Sequence, residues 1–220
     1  FYWVGILISL TFFIVGMATL SHYGNNIDES IHFERGNAYL DFFLTGRKKY
    51  TAADFSGQRI SEWKYKGYDT AYFLKNDGGH PPLNGILAAA TNRIYYTKLG
   101  IMGDLESYHM FELFVSSMLV FLMFAMMRHR YGLFAGTIAA LSTVLYPLFY
   151  GESHFNIKDP IEASFFAFTL YFFYLGVDRV KGRYFFMSSL FCALAFGTKF
   201  NIVFLPFIII PYLIMRFGFS

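Results

Sequence analysis

The sequence predicts an all-α, polytopic membrane protein. Of its 220 residues, 55% are hydrophobic and 22% aromatic, while only 15% are charged. Soluble domains are about a quarter charged, so this composition indicates a lipid environment. The apolar residues also form nearly continuous blocks and do not follow the one-sided pattern of a soluble helix. A compact soluble domain of this size could not bury so many wholly apolar helices.

Six apolar blocks predict six membrane-spanning helices, because about 17 to 25 apolar residues cross the hydrocarbon layer. The blocks are residues 1–20, 111–127, 133–150, 163–177, 184–197 and 202–215. Flanking Tyr, Phe and Thr residues can extend the shorter ones. The first block has no small-residue cleavage site, so we interpret it as a span and not as a signal peptide.

Short basic connectors predict the orientation of these spans. Loops rich in Lys and Arg tend to face the cytoplasm, and here they are residues 128–130, residues 178–183 and Arg216. The parity of crossings then requires residues 81–100 to form an amphipathic helix along the outer surface. We therefore expect both ends of the chain in the cytoplasm.

The domain organisation follows from this topology. We expect a single transmembrane domain over residues 1–220, with an outer loop and interfacial helices within residues 21–107. The chain begins without Met and ends directly after an apolar block. We therefore expect it to be the amino-terminal portion of a longer protein.

Two adjacent acids follow the first span. An Asn at 25–26 can cap a helix whose first turn holds Asp28 and Glu29, where the helix dipole favours negative charge. Helical spacing places Asp28, His32 and Arg35 on one face. An acid at the membrane surface can act as a general base towards an acceptor hydroxyl. On physical grounds alone, a solvated and capped interfacial helix explains these residues better.

Two further polar motifs precede or follow spans on the same predicted side. The sequence Gly78-Gly79-His80-Pro81-Pro82-Leu83 combines a flexible turn with two prolines that stiffen the start of the next helix. On physical grounds alone, an ordinary turn between a loop and a helix explains it better. Lys199 is a lone cation at an outer helix end, where it can snorkel or bind a phosphate.

The connector at residues 151–160 is dense in polar groups. We expect Asp159 to be the N-cap of the next helix and Pro160 to be its first residue. That pairing does not explain the remaining polar residues, which are Glu152, His154, Asn156 and Lys158. Polar density at a membrane boundary often marks a functional site.

Together, the motifs resemble the GT-C superfamily of polyprenyl-phosphate-sugar glycosyltransferases, which includes the protein O-mannosyltransferases and the lipid A aminoarabinose transferases. Asp28-Glu29 resembles the acidic pair that begins their first outer loop. His80-Pro81-Pro82-Leu83 is similar to the His-Pro-Pro-Leu of the protein mannosyltransferases, whereas the lipid A enzymes usually carry Glu-Lys-Pro-Pro. Residues 154–160 and Thr198-Lys199 resemble later family motifs in the same order.

The resemblance implies a GT-C-like helix bundle that transfers a sugar from a polyprenyl-phosphate carrier to an acceptor on the outer membrane face. It implies that Asp28 is the general base and that Glu29 positions it. It also implies residues that shape the site or hold the carrier phosphate, namely His80, His154, Lys158, Asp159 and Lys199. The expected partners are the lipid-linked donor, an acceptor protein, lipid or glycan, and membrane lipid, with no nucleic acid. The expected setting is a bacterial or archaeal plasma membrane in preference to the endoplasmic reticulum.

Three alternatives remain open at this point. A transporter or flippase for a lipid-linked substrate would carry ionisable groups near the middle of the membrane, whereas Glu112 and Glu162 lie near predicted span ends. A non-catalytic scaffold is the second alternative. No cofactor is certain, but a divalent metal could be held by His80, His154 and nearby carboxylates. The single cysteine, Cys192, lies within an apolar block and indicates helix packing.

Overall fold

The computed structural model describes residues 2–64 and 68–218, which form helices and connecting loops without strands. Phe1, where the first predicted span begins, lies outside the described residues. The helices are α1 (Trp3–Thr19), α2 (Glu29–Thr45), α3 (Thr70–Asn76), α4 (Leu83–Asn92), α5 (Asp104–Tyr131), α6 (Leu133–Val144), α7 (Pro147–Glu152), α8 (Asp159–Arg179), α9 (Gly182–Thr198) and α10 (Leu205–Phe217). A π-helical turn, Arg93–Lys98, follows α4.

Four helical segments are long and apolar enough to cross a membrane: Trp3–His22, Asp104–Tyr131, Asp159–Arg179 and Phe200–Phe217. They match four of the six predicted spans, which confirms an all-α membrane protein. The predicted span at 184–197 lies within α9, whose 17 residues extend about 26 Å at the usual rise.

The remaining predicted span, residues 133–150, is not one continuous helix. It divides into α6 and α7, because Pro147 cannot continue a helix and restricts the residue before it. Tyr146 is accordingly extended, and Pro147 begins α7. The prediction of an unbroken helix here was wrong, and α6 has only 12 residues.

The basic connectors and the polar motifs lie at opposite ends of the bundle. At the end of α5, the Arg128 guanidinium lies 4.0 Å from the centre of the Tyr2 ring, and Arg179 lies 3.2 Å from His129. At the start of α5, the Asn92 side chain donates to the Asp104 carbonyl over 2.9 Å. The 28 residues of α5 separate these ends by about 40 Å.

Helix α4 lies across the polar-motif end of the bundle. Its first residue packs against the end of α9, where a Cβ on Gly197 would lie 3.1 Å from Leu83. Its last residue, Asn92, contacts the start of α5. Both ends of this segment therefore lie at the same end of the bundle, as expected for a helix that does not cross.

Helices α2 and α4 cross at two glycines. A Cβ on Gly36 would overlap the Gly85 carbonyl, and a Cβ on Gly85 would overlap the His32 carbonyl. This approach brings α2 onto a buried aromatic core, in which the Phe33 ring stacks on Tyr108 with centroids 4.2 Å apart. The crossing thereby sets the position of the start of α2, where Asp28 is the N-cap residue and Glu29 is the first helical residue.

Candidate active site

The four polar motifs converge at the α4 end of the bundle. The Glu29 carboxylate reaches the Ile157 amide, and the Lys158 ammonium lies 3.7 Å from Asp28. The Lys199 ammonium donates to Asp159 over 2.6 Å. The chain separations between these partners reach 128 residues, so the helix bundle brings distant motifs to one site.

Asp28 presents an exposed carboxylate at the start of α2. It is the N-cap residue, but its side chain makes no capping hydrogen bond, and 69% of that side chain is exposed. The expectation that both acids would lie within the first turn was wrong for Asp28, because the helix begins at Glu29. The Asn26 side chain instead accepts the Ile27 amide over 2.6 Å. The Asp28 carboxylate is therefore open to solvent, with the Lys158 ammonium 3.7 Å away.

Glu29 is buried, with 1% of its surface exposed. One carboxylate oxygen accepts the Ile157 amide over 3.0 Å, and the other accepts the Asn26 amide over 2.8 Å. His109 Nε2 lies 3.2 Å from both oxygens. Glu29 thus ties the loop before α2 to the connector before α8 and to α5, which gives it the means to position Asp28.

Asp159 and Lys199 form an ion pair that is half open to solvent, with side-chain exposures of 52% and 37%. The prediction that Asp159 caps α8 was wrong, because the helix begins at Asp159 itself. The Asn156 side chain supplies the cap by accepting the Lys158 and Asp159 amides. This cap leaves the Asp159 carboxylate available to hold Lys199.

His80 is exposed and lies beside a hollow of about 470 Å³. His80 also influences His32, a buried residue of α2. Burial lowers the pKa of His32 to about 3, and the charges of Lys158, Arg35 and His80 add to this effect. His32 is therefore neutral near pH 7. Described residues lining the hollow include Tyr39, Asp77, Pro81, Pro82, Gly197 and Phe200.

The loop that carries His80 is held by an ion pair that the sequence did not reveal. Arg35 Nε lies 2.6 Å from Asp77, and both side chains are almost fully buried. Arg35 also contacts the His32 ring over 3.2 Å. Asp77 lies 42 residues after Arg35 in a polar stretch, so no local spacing could have identified this pair.

His154 is fully buried, and both of its ring nitrogens have partners. Nε2 lies 3.0 Å from the Thr19 hydroxyl, and Nδ1 lies 2.7 Å from the Tyr150 carbonyl. The Tyr23 ring stacks against it at 4.3 Å. Burial lowers the pKa of His154, so the ring is neutral. This placement joins the end of α1 to the end of α7, and the expected contact of His154 with substrate stays a prediction.

His109 and Glu112 are buried polar groups that the motif analysis missed as site residues. They lie three residues apart on α5, and both have no exposed surface. That spacing puts two side chains on one helix face. It was the feature of the sequence from which the pair could have been identified. Within residues 2–64 and 68–218, the group that could share a metal ion combines these two with Glu29. The predicted metal pairing of His80 with His154 is therefore not supported.

Two hollows follow α8 from the ion pair towards the opposite end of the bundle. The first, of about 540 Å³, is lined by Asp159 and Lys199 and continues past Phe166 to Leu170. The second, of about 470 Å³, begins at Leu170 and lies between α8, α10 and the end of α5. The residues that α8 contributes recur every three or four positions and so share one face. We call the two hollows together the α8 groove.

Comparison with known families identifies one match. The family model described as dolichyl-phosphate-mannose-protein mannosyltransferase matches residues 80–218, which is more than half of the chain. A search of curated proteins found no match, and neither did a search of solved structures. The matched region begins at His80 and includes the connector before α8, the Asp159–Lys199 pair and the α8 groove.

Proposed function

The chain belongs to the dolichyl-phosphate-mannose-protein mannosyltransferase family, and we propose that it transfers a sugar from a polyprenyl-phosphate carrier to an acceptor hydroxyl on the outer membrane face. Membership supports a membrane glycosyltransferase of the GT-C type that uses a lipid-phosphate-linked sugar donor. The observation that carries the finer proposal is the exposed Asp28 carboxylate beside Lys158, together with the Asp159–Lys199 pair at the head of an apolar groove.

The proposed chemistry is a displacement at the anomeric carbon of the donor sugar. Asp28 accepts the proton of the acceptor hydroxyl, and the acceptor oxygen forms a new bond to the anomeric carbon. The bond from that carbon to the phosphate oxygen breaks, and the polyprenyl phosphate leaves with an additional negative charge. Lys158 and Lys199 lie where they can stabilise that charge, and such electrostatic stabilisation is often a large catalytic contribution.

The α8 groove suits the lipid part of such a donor. Its upper end carries Lys199 and Asp159, where a phosphate would sit, and the rest is lined mainly by apolar and aromatic side chains. A polyprenyl tail placed along this face of α8 would remain in contact with the surrounding lipid. We therefore propose that the carrier phosphate binds at Lys199 and that the tail follows α8 towards Tyr212.

The direct test is transfer activity in membranes that contain the full-length protein. Radiolabelled polyprenyl-phosphate sugars are supplied as donors, and label is measured separately in protein, lipid and glycan fractions. We expect transfer from at least one donor and its loss in Asp28→Asn. An absence of transfer from mannose, glucose and aminoarabinose donors alike would contradict the proposal and would favour the transporter or scaffold alternatives.

The membrane face is tested by labelling single cysteines in intact cells, in a Cys192→Ser background. Lys75 and Arg130 are both exposed and lie at opposite ends of the bundle. An impermeant thiol reagent should label Lys75→Cys and spare Arg130→Cys, because basic connectors favour the cytoplasm. The reverse pattern would place the site on the cytoplasmic face.

A further inference from the structure

A pocket of three buried, titratable side chains lies between the first residue of α2 and the beginning of α5. Glu29, His109 and Glu112 are at most 1% exposed. Each offers a ligand atom, and these atoms all lie within 4.8 Å of one another. This cluster does not contain Asp28, and the proposed transfer chemistry does not use its two α5 members.

The charges within the cluster are not balanced by the protein. Both Glu112 oxygens are buried, and neither has a hydrogen-bond partner of normal geometry among the described residues, although the Asn156 backbone amide lies close by. The neighbouring Asn156 amide donates to the Glu152 carbonyl. No described Lys or Arg forms an ion pair with Glu29 or Glu112, and His109 is the sole pairing partner recorded for Glu29. Burying an ionised carboxylate without a partner is costly, so Glu112 requires either a proton or a cation. The ligand atoms of Glu29 and His109 close to Glu112 provide the remaining ligands for a cation.

We propose that Glu29, His109 and Glu112 bind one divalent cation of the Mn²⁺ or Zn²⁺ type. When they ligate a metal, two carboxylates and one imidazole together carry two negative charges, which such an ion neutralises. Imidazole together with carboxylate suits these metals better than Ca²⁺ or Mg²⁺, which prefer oxygen ligands alone. The carboxylate oxygens of Glu29 each accept one backbone amide, and each retains a second lone pair for a metal.

The geometry requires little movement. Ligand atoms about 2.1 Å from a shared ion are separated by at most about 4.2 Å, whereas the present separations are within 4.8 Å. Small side-chain rotations would close this difference. The bound cation would fix Glu29, and through it the Asn26 amide, two residues before Asp28, and the Ile157 amide, next to Lys158. Its proposed role is to position the site, and it does not contact the reacting atoms.

The test uses purified full-length protein that has been stripped with a chelator and then titrated with Mn²⁺ alone. Electron paramagnetic resonance measures free Mn²⁺, and thermal unfolding in the same detergent provides a second measurement. We expect about one bound ion per chain and a higher melting temperature with Mn²⁺. Glu112→Gln should weaken binding at least tenfold, and competition by Zn²⁺ should release the Mn²⁺.

Glu162→Gln is the matched control, because Glu162 is also a buried glutamate with two unpartnered oxygens but lies on α8, outside the cluster. It should bind Mn²⁺ as the wild type does. If Glu112→Gln fails to fold, His109→Gln takes its place, and the wild-type stoichiometry still decides. Absence of a bound ion in the wild type would overturn the proposal, as would equal affinity in the cluster variants and the control. Because binding is measured without any sugar donor, the result is independent of the transferase assignment.

Discussion

The acidic pair at the start of α2 allows the two proposed roles to be separated by experiment. The resemblance assigns Asp28 to the chemistry and Glu29 to its positioning, which on its own favours a smaller loss of activity in Glu29→Gln than in Asp28→Asn. The structure changes this expectation, because Asp28 is open to solvent and Glu29 is buried beneath it. We now expect both variants to lose activity, one through chemistry and the other through folding.

Asp28→Asn should leave stability nearly unchanged. The side chain makes no capping hydrogen bond, and its pair with Lys158 is 3.7 Å long and open to solvent. Such pairs contribute about 0–1 kcal/mol. Removal of a general base typically lowers turnover by about a hundred- to ten-thousand-fold. The variant should therefore melt like the wild type and transfer almost no sugar.

Glu29→Gln should lower stability by a calculable amount. The Asn26 and Ile157 amides donate to different carboxylate oxygens, and glutamine replaces one of those oxygens with a donor. One backbone amide is then left without an acceptor, which costs about 1–3 kcal/mol. For a chain of this length, that corresponds to a fall in melting temperature of roughly 2–12 °C.

The assay pairs thermal unfolding with transfer activity on the same purified full-length samples. Glu62→Gln is the matched control, since Glu62 is an exposed glutamate at the same end of the bundle and should change neither quantity. The reasoning about Glu29 fails if Glu29→Gln melts normally while losing activity, because the residue would then act in the chemistry. Near-native turnover in Asp28→Asn would contradict the proposal that Asp28 is the general base, and Asp28 would then be only a charged residue at a helix start.

Three further predictions concern the surroundings of this pair. Gly36→Ala should destabilise the protein by about 1–3 kcal/mol, because the new methyl group overlaps a backbone carbonyl. The control, Gly182→Ala, places its methyl group in open space and should melt at the wild-type temperature. Equal melting temperatures for the two variants would contradict the close crossing of α2 and α4. Lys199→Ala should weaken donor binding about 10- to 100-fold, as expected for loss of a charge-assisted contact, and should lower turnover at saturating donor less. A titration of activity with donor measures both quantities. Unchanged affinity would show that Lys199 does not bind the carrier phosphate. The pKa of His32 is lowered to about 3, so between about pH 6.5 and 3 the unfolded chain binds a proton that the folded chain does not. The free energy of unfolding should therefore fall by about 2 kcal/mol from pH 7 to pH 5, and His32→Asn should reduce this dependence; an identical pH profile would refute the assignment.

The membrane-spanning helices were predictable where hydropathy and helix length agree. Helix α5 was recognisable because residues 111–127 form an apolar block, and the structure extends it from Asp104 to Tyr131. Hydropathy did not locate the break at Pro147, although proline was the visible signal, because the surrounding residues remain apolar on both sides. Apolar composition reports that a segment contacts lipid, whereas backbone continuity depends on single residues.

The candidate site was predictable to the extent that its residues are polar in an apolar sequence. Asp28, Lys158 and Lys199 stand out for that reason, and the structure brings them to one end of the bundle. Their partners could not be derived in the same way. Glu29 and His109 are 80 residues apart, and no local periodicity relates them. The sequence did not identify His109 as a site residue, because it lies just before the apolar block at residues 111–127, which has the composition of an ordinary span.

The division of roles between Asp28 and Glu29 follows from the geometry of a helix start. Successive residues on a helix point about 100° apart, and here the two adjacent acids face in different directions. Glu29 turns inward, where the Ile157 amide and His109 hold it, and Asp28 is thereby directed outward beside Lys158. The same helix start thus buries one acid, which binds backbone amides, and exposes the other, which makes no capping hydrogen bond. The exposed carboxylate can be held in place for catalysis because its neighbour supplies the contacts that hold it.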